Sequence, residues 1–156
     1  MGSLDAAVTG EYNWIDMADI DREKAIRELL STSRVIAVVG LSADPEKPSN
    51  MVARYLLGKG YRIIPVNPGQ ETILGERSYP SLGDIGEKVD IVDIFVRPEK
   101  VMPFVREALS LKPRAIWLQL GIVSEEAKAL AEAEGIMFVM DRCVKQEHTR
   151  LLGGRS

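Results

Sequence analysis

An α/β fold with a doubly wound, mainly parallel sheet of five or six strands and helices on both faces is predicted by three observations. Short apolar runs alternate with stretches whose apolar residues recur at helical spacing, over most of the chain. The runs are rich in valine and isoleucine, as strands buried on both faces are. The first of them, Val35-Ile36-Ala37-Val38-Val39, leads directly into a small-residue loop, Gly40-Leu41-Ser42-Ala43-Asp44, that opens a helix. Amide hydrogens left unpaired at such a helix start attract an anion, so this loop predicts a phosphate-bearing ligand.

Residues 1–17 show no clean period and read as a variable leader before a single domain over residues 18–156. Asp19-Ile20-Asp21 marks a helix start, followed by Ala25, Ile26, Leu29 and Leu30 at helical spacing. After the first strand, Ser49 or Asn50 is the expected cap of a helix carrying Met51, Val52, Tyr55 and Leu56, and Gly58-Lys59-Gly60 ends it. The second strand, Tyr61 to Val66, contains Pro65, which removes a ladder donor and belongs where pairing ends or at an irregularity. Ile73-Leu74-Gly75 and Arg77-Ser78-Tyr79 suggest a short edge strand, and Ser81 to Ile85 one helical turn. The pattern continues as strand Val89 to Val96, helix Pro98 to Leu111, strand Ala115 to Leu120, helix Ser124 to Glu134 and strand Ile136 to Met140. A short helix, Val144 to Leu152, closes the chain. Pro98 suits a first helical turn and Gly135 a helix end. This alternation implies a Rossmann-like order, in which the loops after Val39, Val66, Val96 and Leu120 converge at the carboxyl ends of the strands, where ligands bind.

Composition narrows the function. At 156 residues the chain can bury a sizeable core, and 46% apolar with 28% charged residues is ordinary for a globular protein. A net charge of −3 argues against a general nucleic-acid binder. No apolar stretch approaches the roughly 20 residues needed to cross a bilayer, and no secretory signal opens the chain. The single cysteine, Cys143, cannot form an internal disulfide, which fits a cytoplasmic protein, and without a Cys/His cluster a structural zinc site is not expected.

The ligand class follows from what the first loop lacks. After Gly40 there is neither the second nor the third glycine of the dinucleotide fingerprint, and the second strand ends at Asn67 with no acid placed for a ribose hydroxyl. NAD or NADP is therefore disfavoured, and nothing matches an ATPase-type phosphate loop. Cys143 and His148 stand five apart on the last predicted helix, off a common face, and do not make a dyad. His148 reads as a surface or cap residue. Cys143 reads as a small buried thiol, or, beside Arg142 and Lys145, as a reactive one.

Six segments form a recognisable set. They are Val39-Gly40-Leu41-Ser42, Pro65-Val66-Asn67-Pro68, Leu74 to Leu82, Val92-Asp93-Ile94-Phe95-Val96-Arg97-Pro98, Trp117-Leu118-Gln119-Leu120-Gly121 and Asp141 to His148. In this order they resemble the small stand-alone CoA-binding proteins, over about Ile20 to Leu152, and the N-terminal CoA-binding domain of the succinyl-CoA synthetase alpha subunit. The resemblance implies that Gly40, Leu41, Ser42, Lys47, Pro48, Ser49 and Asn50 hold the pyrophosphate of coenzyme A. It implies that Asn67 and Pro68 flank the adenosine, and that Phe95, Val96, Arg97 and Pro98 border the nucleotide and the pantetheine arm. Gln119, Gly121 and Arg142 would line the thiol end. Related chains often carry a lysine just after the Asn-Pro pair where this one has Gly69-Gln70, and a lost charged hydrogen bond weakens binding by about 1.5 to 3 kcal/mol unless Lys47 or Arg97 compensates. The reading is a binder of CoA or acyl-CoA without a complete catalytic constellation, with a protein partner or homo-oligomer open. The alternatives are an NAD(P)-binding enzyme and a regulatory interaction domain with a vestigial nucleotide site.

Overall fold

The computed structural model describes residues 17–153. Helix α1 (Met17–Thr32) precedes β1 (Val35–Val39), α2 (Pro48–Gly58) and β2 (Arg62–Val66). A hairpin of β3 (Thr72–Ile73) and β4 (Glu76–Arg77) follows, then a 3₁₀ turn at Leu82–Asp84 and β5 (Ile91–Ile94). A second 3₁₀ turn, Pro98–Lys100, runs into α3 (Val101–Ser110), and β6 (Ala115–Leu118), α4 (Glu125–Ala133), β7 (Met137–Val139) and α5 (Val144–Leu151) complete the chain. The leader expected up to Met17 lies, apart from Met17 itself, outside the described residues.

Five strands pair in the order β2-β1-β5-β6-β7, all parallel. The chain steps from β1 outward to β2 and then back past β1 to β5, so winding reverses between β1 and β5. Alternation along each strand sends side chains to opposite faces. Ala37, Val39, Ile64, Val92, Ile94 and Ile116 pack with Val105 and Leu109 of α3 and Ala127 and Ala131 of α4. Ile36, Val38, Ile63, Ile91 and Trp117 pack on the other face with Ile26 and Leu30 of α1, Val52 and Leu56 of α2 and Val144 of α5. That is the predicted doubly wound α/β arrangement, with five strands in the main sheet.

Several details differ from the sequence reading. Lys47 is the N-cap of α2 and Pro48 its first residue, and neither Ser49 nor Asn50 caps it. Proline opens a helix without loss because its missing amide hydrogen would have had no helical partner. Met51 is exposed, and the buried stripe of α2 is Val52, Ala53 and Leu56. Pro65 sits inside β2, in register with Val38. It is tolerated because the Arg62 amide bonds the Arg34 carbonyl, so the alternate residue Pro65 turns its nitrogen away from β1. On that outer side the Tyr79 amide donates to the Pro65 carbonyl, which seals the sheet edge.

Candidate binding site

The first strand ends in a residue that only glycine can supply. Gly40 has φ +81°, and a Cβ there would lie 2.3 Å from the carbonyl oxygen of Phe95. The loops after β1 and β5 therefore touch backbone to backbone at the point where winding reverses. Side chains then fix the first loop. The Ser49 hydroxyl accepts from the Ser42 amide (2.9 Å), the Asn50 Nδ2 donates to the Ser42 carbonyl (2.8 Å), and the Ser42 hydroxyl accepts from the Asp44 amide (3.0 Å). Asn67, after β2, donates from Nδ2 to the Leu41 carbonyl (2.9 Å) and accepts from the Gly69 amide through Oδ1 (2.8 Å). Ser49 and Asn50, expected at a helix cap, are thus buried braces of the loop.

The loops after β6 and β7 are tied in the same way. Gly121, with φ +86°, donates its amide to Asp141 Oδ1 (2.7 Å), and the Asp141 amide donates to the Ile122 carbonyl (3.2 Å). The fully buried Trp117 donates from Nε1 to the Arg142 carbonyl (2.8 Å), which anchors the segment bearing Cys143 at the start of α5. Deeper in the sheet, Gln119 donates from Nε2 to Asp93, a wholly buried carboxyl on β5. Burial pushes Asp93 up to about 8, with the Gln119 bond working in the opposite direction.

These loops enclose a cavity of about 680 Å³ at the carboxyl ends of the strands. Of the residues expected from sequence, Gly40, Ser42, Lys47, Pro48, Ser49, Phe95, Val96, Arg97, Pro98, Gln119 and Gly121 line it. Leu41 is core, Asn50 is a brace and Asn67 links the first two loops. Pro68 lines a separate cleft of about 460 Å³ with Gln70, Arg77 and Ser78. The Arg142 guanidinium is engaged with Glu23 (3.4 Å) and Glu147 (3.1 Å), and the neighbouring Cys143 is the one that lines the larger cavity. Val52, Leu120, Ile122 and Gln146 line it too. The sequence reading used Val52 as core and missed the other three as lining, because positions in loops and at a helix start carry no periodic signal.

The charge of the lining is one-sided: Lys47 and Arg97 contribute cations, and among the described residues no aspartate, glutamate or histidine joins them. In a chain of net charge −3 this is a local inversion suited to an anionic ligand. His148, expected at the surface, is buried, and its Nδ1 is hydrogen-bonded to the Tyr55 hydroxyl (2.8 Å). Burial, aided by the Lys59 charge, lowers its pKa, so the imidazole is a neutral packing element. Among the described residues no group of His, Cys, Asp and Glu is placed to hold a metal ion, and no helix is long and apolar enough to cross a membrane.

Comparisons with known proteins place this geometry. The uncharacterized protein YneT of Bacillus subtilis is 40% identical over 123 residues, covering 79% of this chain and 91% of its own length. A hypothetical protein from Pyrococcus horikoshii OT3 superposes with a TM-score of 0.81 at 41% identity, over 84% of this chain and 92% of that one. The ADP-forming acetate–CoA ligase II of Archaeoglobus fulgidus is 36% identical over 103 residues, which are 64% of this chain but only 15% of the ligase. Residues 34–149 match the family model described as the CoA binding domain. With that match spanning all five strands of the main sheet and the cavity at their ends, the chain belongs to the CoA binding domain family.

Proposed function

We propose that this protein binds coenzyme A or an acyl-CoA in the cavity at the carboxyl ends of β1, β5 and β6, and that it acts as a binding module. The observation that carries this reading is the cationic, carboxylate-free lining at the point where winding reverses, with Lys47 and Arg97 beside the braced Gly40–Ser49 loop. The diphosphate of CoA would lie against this loop, and the apolar walls of Phe95, Val96 and Ile122 suit an uncharged arm. Among the described residues the lining carries no carboxylate or imidazole side chain. A cytoplasmic protein that carries, sequesters or senses CoA accords with these features.

Isothermal titration with CoA, dephospho-CoA and NADH tests the reading. Saturable CoA binding is expected, with Arg97→Ala and Lys47→Ala each raising Kd roughly ten- to a hundredfold, the effect of losing one charge-assisted hydrogen bond. No CoA binding would favour the vestigial-site alternative, and a preference for NADH would favour a redox enzyme.

A further inference from the structure

Asp93 is wholly buried in the middle of the sheet, beside Val38 on one neighbouring strand and Trp117 on the other. An acid there is costly, and its Oδ2 has no hydrogen-bond partner. Its other oxygen, Oδ1, accepts from Gln119 Nε2. Gln119 is itself only 4% exposed and lines the cavity. A carboxamide whose nitrogen is held by Asp93 offers the cavity its oxygen, an acceptor without hydrogens. The sheet order puts this acceptor two strands from the Gly40 loop, a separation of about 10 Å at the usual strand spacing.

We propose that Asp93 is a positioning residue, orienting Gln119 so that its Oε1 accepts an amide N–H from the arm of the ligand, distal to the phosphates. The inference rests on the CoA reading, in which the pantetheine arm supplies that amide. An amide N–H suits this oxygen better than a thiol, which is a weak donor. Free CoA and acyl-CoA carry the same amide, so this contact does not distinguish them. The upward displacement of the Asp93 pKa is consistent with a neutral acid whose proton rests on Oδ2 while Oδ1 accepts from Gln119. Asp93 touches no ligand; it acts through Gln119.

Titration of CoA and acetyl-CoA into the wild type, Asp93→Leu, Gln119→Leu and the double variant tests this. Each single variant is expected to weaken both ligands by the same factor, roughly two- to twelvefold, the range for one neutral hydrogen bond. The double variant should lose no more than either single one, because both break the same contact. Asp93→Ala removes the acceptor without adding bulk and carries the same expectation should Asp93→Leu not fold. Full affinity in the Asp93 variants, or additive losses, would overturn the proposal. The orientation is also read without ligand: in ¹⁵N NMR the Gln119 side-chain amide should be shifted and protected from exchange, and lose both properties in Asp93→Leu. An unprotected wild-type amide would overturn the proposal. A protected one in a protein that binds no CoA would uphold the orientation and sink the ligand instead.

Discussion

Gly40 is where backbone geometry rather than side-chain chemistry shapes the site. Its positive φ and its contact with the Phe95 carbonyl leave no room for a Cβ. Gly40→Ala is expected to destabilise the fold by roughly 2–4 kcal/mol, combining a left-handed alanine with a backbone clash. Its denaturant midpoint should fall accordingly, and an unchanged midpoint would show that the loops can part. The same contact was only half legible in sequence. A glycine after an apolar strand signals a tight turn, but nothing in the chain order says that Phe95, 55 positions later, lies against it. Ser49 and Asn50 make the complementary point. Their residue types fit a helix cap, yet their partners are the Ser42 amide and carbonyl, because Pro48 had already taken the first helical position.

At the level of elements, alternation and punctuation were informative where local chemistry decides the outcome. Ser124 before α4 is such a case. Its hydroxyl accepts from the Ala127 amide (3.1 Å), the cap expected of a serine at a helix start. Ser124→Ala should cost about 0.5–2 kcal/mol in chemical denaturation. A null effect would mean that packing of Ala127 and Ala131 alone holds the helix. Where partners come from elsewhere, the local pattern misled. The Ile73 and Arg77 segments form an antiparallel hairpin outside the main sheet, tied to it through Tyr79 beside Pro65 and Val66. Helix α5 buries His148 against Tyr55 and Tyr61, whose rings stand nearly perpendicular to the imidazole. A polar helix of eight residues carries no sign of that in its sequence.

Across the whole molecule two buried titratable groups, His148 and Asp93, set opposing pH trends. His148 is depressed below its ordinary value of 6.5, so the unfolded chain binds its proton more readily. Its contribution to stability is present above pH 6.5 and is lost as the solution becomes more acidic. Asp93 is raised from 3.8 to about 8, so the folded protein holds a proton that the unfolded chain has released. Its effect lowers stability as pH rises between those values. Between pH 6.5 and 8 only the Asp93 trend remains of the two. Stability should therefore fall with rising pH there, by as much as about 1.4 kcal/mol per unit. Asp93→Asn, which cannot ionise, should flatten that slope in urea titrations at several pH values. A slope unchanged by the substitution would mean that Asp93 is ionised in the folded state.

The sequence by itself determined the α/β class and the order of elements, because strand and helix periods and glycine or proline punctuation are local properties of the chain. It also pointed to 11 of the residues that line the cavity. Tertiary structure alone decided that Asn67 and Asn50 brace loops, that Arg142 is engaged by Glu23 and Glu147, and that Asp93 lies beneath Gln119. Each of those roles depends on a partner from a distant element or on the register of neighbouring strands. Residue type limits which bonds a side chain can make, and packing chooses among them.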